Sequence, residues 1–249
     1  MRGSHVLGAV LAAGVAFGAQ GAVRFESSLS AQLWMDTRDS VTRGGHLEIQ
    51  AVPTALASAS IVEGAPGARG WVTISAPIAR RTPDRSDANL FEFDLRAQGS
   101  APTTTQWSVA SGGITATQEV LFRDLRVAPL EDTVVRFELF TSWQTVSGSE
   151  SGGDGESMSR AGWSAWQSDP AGPIGGFTNV ERASPGYGVN GHAGVWWYAF
   201  SVTVPAGGST TLEFAAFTDG FAHSVAVPSS GTAGLGFLAL LVASSRRRV

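Results

Sequence analysis

The chain contains no cysteine in its 249 residues. This absence excludes disulfide bonds, thiol catalysis, cysteine zinc sites and CxxC redox motifs. A body of about 200 residues buries roughly 70% of the surface that its unfolded chain exposes. The chain is therefore long enough to fold around a hydrophobic core without covalent or metal cross-links.

Charged residues are also scarce, and their signs are unevenly distributed. They make up 15% of the chain, lysine is absent, and all 17 basic residues are arginines. Residues 22–226 hold 13 of these arginines and all 21 acidic residues, so this segment carries a net charge of −8. An acidic segment lacks the electrostatic footprint of a nucleic-acid-binding protein, and we therefore expect no nucleic-acid partner.

The first 21 residues have the parts of a secretory signal peptide. A basic residue begins the segment, residues 6–17 are uncharged and mostly apolar, and the small residues Ala19 and Gly21 precede Ala22. We predict that residues 1–21 form a signal helix that is cleaved before Ala22. A buried N-terminal helix is the alternative.

The last 23 residues, 227–249, combine a short proline motif, an apolar stretch at 233–243 and a basic end. The motif residues are Val227, Pro228 and Gly231, and the basic end consists of Arg246, Arg247 and Arg248. As a helix, the uncharged residues 229–245 would span roughly 26 Å, just short of a hydrocarbon core of ~30 Å. The arginines would remain on the cytoplasmic side of the membrane.

This tail resembles the PEP-CTERM sorting signal of Gram-negative bacteria and their relatives, whose usual motif is Val-Pro-Glu-Pro-Gly. Val227, Pro228 and Gly231 match that motif, whereas Ser229 and Ser230 replace its glutamate and second proline. The resemblance implies an exosortase-type processing enzyme as a partner, transient inner-membrane contact and removal of the tail during export. It also implies a cell-surface or extracellular destination in cells that make exopolysaccharide. A permanent membrane anchor is the alternative.

Apolar and polar residues alternate along much of the body, which predicts strands that bury one face. The clearest alternation lies in 90–96, 114–122, 133–143, 195–204 and 210–217, and weaker alternation lies in 23–28, 31–36, 46–51, 57–63, 71–76, 105–110 and 221–227. Turn residues at 65–67 and 205–208 predict hairpins between their flanking strands. We predict an all-β fold, a single antiparallel β-sandwich of jelly-roll or immunoglobulin-like type over 22–226, flanked by the N-terminal signal helix and a C-terminal hydrophobic helix.

Residues 144–193 interrupt the alternation. Glycine and serine are frequent there, and residues 147–159 have low complexity. We therefore predict a long irregular insertion, flexible at 147–159 and ordered as a lid over 162–194.

No catalytic motif is present in the sequence. The body has three histidines, His46, His192 and His223, that could activate a serine. It has no G-x-S-x-G elbow, the motif that presents such a nucleophilic serine. Glu92 and Asp94 share one face of a predicted strand about 7 Å apart, which is possible for a glycosidase pair, but acidic residues on such a face are ordinarily solvated. We therefore predict a non-enzymatic protein.

The sequence predicts no cofactor and no obligatory metal. Glu150, Asp154 and Glu156 offer hard oxygen ligands within a few residues of one another, although they do not match the usual calcium-loop pattern. We expect a solvated loop at these residues, and a structural calcium ion is the alternative.

Eight tryptophans are the best indication of a ligand. The tryptophans that we assign to the core of predicted strands are Trp71, Trp107, Trp143 and Trp196. Trp163 and Trp166 lie in the predicted lid, and Trp197 faces away from Trp196 because successive strand residues point to opposite faces. We expect Trp163, Trp166 and Trp197 to pack the insertion onto the sandwich; the alternative is that these three residues form a binding site by stacking on sugar rings.

These observations predict an exported, non-enzymatic cell-surface or extracellular-matrix protein that is sorted by its C-terminal tail. The first alternative is a carbohydrate-binding module retained in exopolysaccharide, which requires exposed aromatic residues near 163–197. The second alternative is a secreted hydrolase, which requires paired carboxylates or a histidine-centred triad in a cleft.

Overall fold

A computed structural model describes most of the body of the chain. The described residues are 22–36, 46–52, 54–64, 70–76, 78–79, 88–102, 107–127, 129–149, 155–183 and 188–225. Strands are the only regular secondary structure in these ranges, and no helix capable of crossing a membrane occurs within them. The predicted signal helix, the tail at 227–249 and the predicted turn at 65–67 lie outside the described residues.

Twelve strands form two antiparallel sheets of six strands each. Sheet A contains β1 (Ala22–Met35), β4 (Trp71–Ser75), β5 (Ile78–Ala79), β6 (Ala88–Pro102), β8 (Thr133–Ser149) and β11 (Val189–Val204). Sheet B contains β2 (Leu47–Ala51), β3 (Ala55–Gly64), β7 (Ser108–Asp124), β9 (Gly155–Ser168), β10 (Ala171–Ala183) and β12 (Ser209–Ser224). The predicted all-β class with antiparallel sheets is therefore confirmed.

The two sheets enclose one main core, which is consistent with a β-sandwich. Sheet A has the order β11-β8-β1-β6-β4, with β5 also paired to β6, and sheet B has the order β10-β9-β12-β7-β2, with β3 also paired to β7. Strands β10 and β11 are thus the last strands on one side of their sheets. Burial alternates along the long strands as the sequence predicts, for example with Phe91, Phe93 and Leu95 buried on β6.

Both predicted hairpins are wrong, because the strands on either side of each predicted turn lie in different sheets. The turn at 205–208 does exist: Gly208 N–H donates to the Pro205 carbonyl over 2.9 Å, and Gly207 has a φ of 64°. However, it leads from β11 in sheet A to β12 in sheet B, and the chain likewise passes from β3 in sheet B to β4 in sheet A. The turn residues at 205–208 therefore predicted correctly where the chain turns, but not which strands pair with each other.

The predicted irregular insertion at 144–193 is also wrong. The segment contains the end of β8, all of β9 and β10, and the beginning of β11. Its inward-facing residues include Ser147, Ser157 and Ser159, which are buried although they are small and polar. The alternation is present, but small residues occupy the inward positions at the beginning of β9, where large apolar residues would have revealed it.

The core differs between the two ends of the sandwich. Towards the end of β7 at Asp124, aromatic rings fill the space between the sheets: Phe214 lies 4.9 Å from Phe91 and 6.0 Å from Phe93 between ring centroids. At the other end, which we call the serine end, buried hydroxyls bridge neighbouring strands. Ser108 Oγ lies 2.8 Å from Ser224 Oγ.

The sheets also approach closely at the serine end. Val23, Phe25, Ala97, Ala101 and Ala222 form a small separate cluster of buried hydrophobic residues there. Phe25 is the large ring of this cluster, and it lies between Gly99 and Gly220, where a Cβ atom on either glycine would clash with it. Small residues are therefore a packing requirement at this end.

A buried ion pair closes the Asp124 end. The Asp124 carboxylate accepts hydrogen bonds from Arg126 Nε (3.0 Å) and Nη2 (2.8 Å), and from the Gly207 N–H (3.3 Å). Arg126 Nη2 continues to the Glu131 carbonyl (2.7 Å) and Thr133 Oγ1 (2.8 Å). The hydrogen bond from Arg126 lowers the pKa of Asp124 well below its usual value, outweighing the opposite effect of burial.

Candidate binding site at the aromatic seam

A line of contacts joins the edge strands β10 and β11 along one side of the sandwich. Tyr198 Oη donates to the Ile174 carbonyl over 3.1 Å, and the rings of Trp196 and Phe177 meet edge to face at 5.0 Å. Farther along, His192 Nδ1 lies 3.7 Å from Glu181 Oε1, and Asn190 Nδ2 donates to the Arg182 carbonyl over 3.0 Å. We call Trp143, Phe177, His192, Trp196 and Tyr198 the aromatic seam.

The aromatic seam forms because successive residues of β11 point to opposite faces, so that alternate residues share one face. His192, Gly194, Trp196 and Tyr198 are alternate residues and so project from the same face of the strand. Gly194 leaves a gap that the indole of Trp143 fills from the neighbouring strand, since a Cβ at Gly194 would lie 2.6 Å from that ring. Four consecutive positions on this face are therefore lined by aromatic rings.

Trp143 occupies the centre of the seam. Its ring is nearly parallel to that of His192, at 5.4 Å and 14°, and it lies 5.2 Å from Phe177 on the other side. Trp143 and Phe177 also pack against the main core. The inner part of the seam is thus rigid, while its outer part faces solvent.

The rings on β11 remain accessible because this strand is the last of its sheet. Trp196 is 55% exposed, and the side chain of His192 is 63% exposed. Both rings are nevertheless held by aromatic neighbours within about 5 Å. An exposed ring that is already ordered loses little conformational entropy when a ligand stacks on it.

Polar groups lie beside these rings. Glu181 projects into the seam with its side chain 23% exposed, and Asn179 Nδ2 donates to Thr145 Oγ1 over 2.6 Å. Beneath the exposed rings, Trp163 Nε1 and Thr141 Oγ1 are buried and have no hydrogen-bond partner among the described residues. Apolar ring faces bordered by a few oriented polar groups are typical of sites that bind sugars and other amphipathic rings.

The three tryptophans of the alternative stacking site do not lie on one surface, so that alternative is wrong. Trp163 is only 3% exposed and stacks on Phe214 in the main core. Trp166 is 48% exposed on the outer face of sheet B, and Trp197 is exposed on the outer face of sheet A against Phe140. Exposed aromatic residues do occur near 163–197, but on three different surfaces.

The core assignment of four other tryptophans is largely wrong as well. Trp71, Trp107 and Trp196 are exposed, and only Trp143 packs against the core. The sequence did contain one clue: Trp196 and Trp197 are adjacent, so one of them must leave the sandwich interior. This clue did not indicate that β11 is an edge strand. At the edge of the sheet the inward-facing residue, Trp196, is exposed as well.

The acidic and histidine candidates are dispersed. Glu92 accepts a hydrogen bond from Gln32 Nε2 (2.9 Å) and Asp94 pairs with Arg96 (3.2 Å), both on the outer face of sheet A. His192 belongs to the seam, whereas His223 lies on the outer face of sheet B and His46 precedes β2.

Two of the three candidate calcium ligands lie outside the described residues. These two are Glu150 and Asp154, and the third, Glu156, is exposed on β9. No group of three or more acidic or histidine side chains suited to a metal ion occurs within the described ranges.

A concave surface lies on the outer face of sheet B, away from the seam. This depression has a volume of about 430 Å³, and its walls include Ile61, Met158 and Phe221. Its carboxylate, Asp219, is already bound by Arg160 Nη2 at 2.6 Å. The carboxylate of this depression is therefore already engaged by a permanent cation, whereas that of Glu181 is not.

Relatives give no guide to the choice between these surfaces. The chain has no significant match among protein-family models, curated proteins or solved structures. The candidate site is therefore defined by the geometry of the described residues.

Proposed function

We propose that this protein is an exported, non-enzymatic saccharide-binding protein of the cell surface or extracellular matrix, and that the aromatic seam is its binding site. The observation that carries the proposal is the ring of Trp196, which is half exposed yet held at 5.0 Å by Phe177. Sugar rings stack on such faces through their C–H groups, and their hydroxyls bond to neighbouring side chains such as Glu181 and Asn179.

Binding is favoured over catalysis by the composition of the seam. Hydrolysis of a glycosidic bond ordinarily requires two carboxyl groups that flank the bond. Glu181 is the one carboxylate that a described contact places against the aromatic seam, and that contact is with His192.

The proposed export rests on the sequence at the two termini. The signal-peptide pattern ends where β1 begins, at Ala22, and the tail at 227–249 resembles the PEP-CTERM signal. We infer processing by an exosortase-type enzyme, transient contact with the inner membrane and release to the surface or matrix. The intact mass of the natively secreted protein tests this part, because a mass that retains Arg246 to Arg248 would contradict cleavage of the tail.

We further infer that the sandwich is of the jelly-roll type. Its eight longest strands have the orders β6-β1-β8-β11 and β7-β12-β9-β10, and among β6 to β12 only the β9–β10 connection stays within one sheet. An immunoglobulin-like sandwich instead pairs several successive strands. In this arrangement β1 takes the position that the last strand of a jelly roll would occupy.

Affinity electrophoresis of the secreted protein tests the binding site. We expect retardation by exopolysaccharide of the producing cells or by a defined glycan, and about tenfold weaker binding by Trp196→Ala, since one stacking contact contributes roughly 1–1.5 kcal/mol. Trp166→Ala is the matched control, because Trp166 is similarly exposed on another face. Equal losses in both variants, or no retardation by any glycan, would contradict the proposal.

A further inference from the structure

We propose that the aromatic seam selects glycans that carry free amino groups, in which the sugar presents an ammonium ion. This inference rests on the proposed saccharide-binding function and specifies the ligand of the same site. It follows from the position of Glu181 among the rings and from the distribution of charge around them.

Glu181 places a negative charge inside the seam. It lies on the face of β10 that bears Phe177 and Asn179, and its side chain is 23% exposed, so a ligand can reach it. Among the described residues, only His192 brings a nitrogen able to carry charge within 4 Å of this carboxylate, at 3.7 Å. His192 is a cation only when it is protonated, and a neutral His192 leaves the carboxylate available to a cationic ligand.

The rings next to Glu181 strengthen the same preference. The faces of indole and phenyl rings carry negative electrostatic potential and attract cations that approach within about 6 Å of the ring centre. His192, which contacts Glu181, lies parallel to Trp143 at 5.4 Å, and Trp143 lies 5.2 Å from Phe177. A sugar ammonium near Glu181 would therefore lie beside this group of rings, whose exposed indole is that of Trp196, 55% exposed and 5.0 Å from Phe177.

The surroundings disfavour anionic glycans. Strand β11 contains no Asp, Glu or Arg along its 16 residues, so it supplies no permanent positive charge to bind a uronic acid. Residues 22–226 carry a net charge of −8, which repels polyanions at longer range. Within the seam, a carboxylate on the ligand would face the carboxylate of Glu181.

Binding of three matched oligosaccharides to the full secreted protein tests the proposal: a glucosamine oligomer, its fully N-acetylated counterpart and a uronic acid oligomer, each at neutral pH. We expect the free-amine oligomer to bind about tenfold more tightly than the N-acetylated one, and the uronic acid oligomer to bind least. Glu181→Gln should weaken binding of the free-amine oligomer about tenfold and so remove the preference for the amine.

The control is Glu213→Gln, since Glu213 is an exposed carboxylate that lies directly across from Trp166 on the outer face of sheet B. It should retain the full preference. Binding of the N-acetylated oligomer by Glu181→Gln also demonstrates that the variant is folded. A lysine oligomer of equal charge serves as the non-sugar ammonium, and we expect it to bind more weakly than the glucosamine oligomer.

Four outcomes would overturn the inference. Equal affinity for the amine and N-acetyl forms, or an unchanged preference in Glu181→Gln, would refute the amine selectivity while leaving saccharide binding intact. Equal or tighter binding of the lysine oligomer would make the site an ammonium site without sugar recognition. Absence of binding to all three glycans would refute both this inference and the proposed function.

Discussion

The two ends of the sandwich keep their sheets together by different means. The Asp124 end and the centre contain stacked aromatic rings, of which Phe214 contacts Phe91, Phe93 and Trp163. The serine end contains hydroxyl bridges such as Ser147 Oγ to Ser159 Oγ, at 3.1 Å, and few large side chains. Large rings contribute stability through buried area, whereas small residues contribute it through close approach and hydrogen bonds. The two ends should therefore respond oppositely to changes in side-chain volume.

The largest expected effect is a loss of volume in the aromatic part. Phe214→Ala removes a fully buried ring that contacts three other rings, and we expect the free energy of unfolding to fall by about 3–5 kcal/mol. Chemical denaturation followed by tryptophan fluorescence measures it. A loss below about 1 kcal/mol would indicate that this region repacks freely and that the contrast between the ends is absent.

A gain of volume at the serine end should have the next largest effect. Gly220→Ala places a methyl group against the ring of Phe25 and 2.6 Å from the Met158 carbonyl oxygen, so we expect a loss of about 3 kcal/mol from overpacking. Gly172→Ala is the matched control, because nothing lies within 4 Å of its added Cβ and stability should hardly change. If the two glycine variants were equally stable, the serine end would not be tightly packed.

The ion pair at the Asp124 end should have a smaller effect that depends on pH. Asp124→Asn weakens charge-assisted hydrogen bonds to Arg126, and we expect a loss of about 2 kcal/mol at neutral pH. The pKa of Asp124 is lowered in the folded state, so its contribution is fully present above its unfolded pKa of about 4 and is lost as the pH falls below that value.

Denaturation of both forms between neutral pH and about pH 2.5 tests this sign, since ordinary aspartate pKa values lie near 4. The stability difference between the native protein and Asp124→Asn should shrink as the pH falls. A difference that is constant or grows in acid would assign the stabilisation to something other than the ionised carboxylate.

The same contrast explains what the sequence could predict. Large apolar residues alternate with polar ones in β6, β7, β8, β11 and β12, and all five strands were predicted. In β9 the inward positions include Gly155, Ser157 and Ser159, which read as loop residues although they are buried. Hydropathy patterns depend on large side chains, so strands at the closely packed end were misread as an insertion.

The hydropathy pattern also did not reveal whether a strand lies at the edge of its sheet or between two other strands. Trp163 and Trp196 both face inward, yet Trp163 lies on β9, between two other strands, and is buried, whereas Trp196 lies on the edge strand β11 and is exposed. The partner of β11 depends on contacts distant in sequence, including pairing with β8. Trp166 and Trp197 were expected at the surface and are exposed, whereas Trp163 is buried and Trp196, expected in the core, is exposed.

The chain enters and leaves the sandwich at the serine end, and this has a mechanical consequence. Ala22 pairs with Pro102 at the start of β1, and Ser224 Oγ at the end of β12 donates to the Pro102 carbonyl over 2.9 Å. A tension applied between Ala22 and Val225 would therefore pull the two sheets apart at the end with the fewest large contacts. The domain would open by sequential peeling, in which contacts break one after another, instead of by shear along whole strands. We expect it to yield at low force in this direction, although its aromatic centre makes it thermodynamically stable.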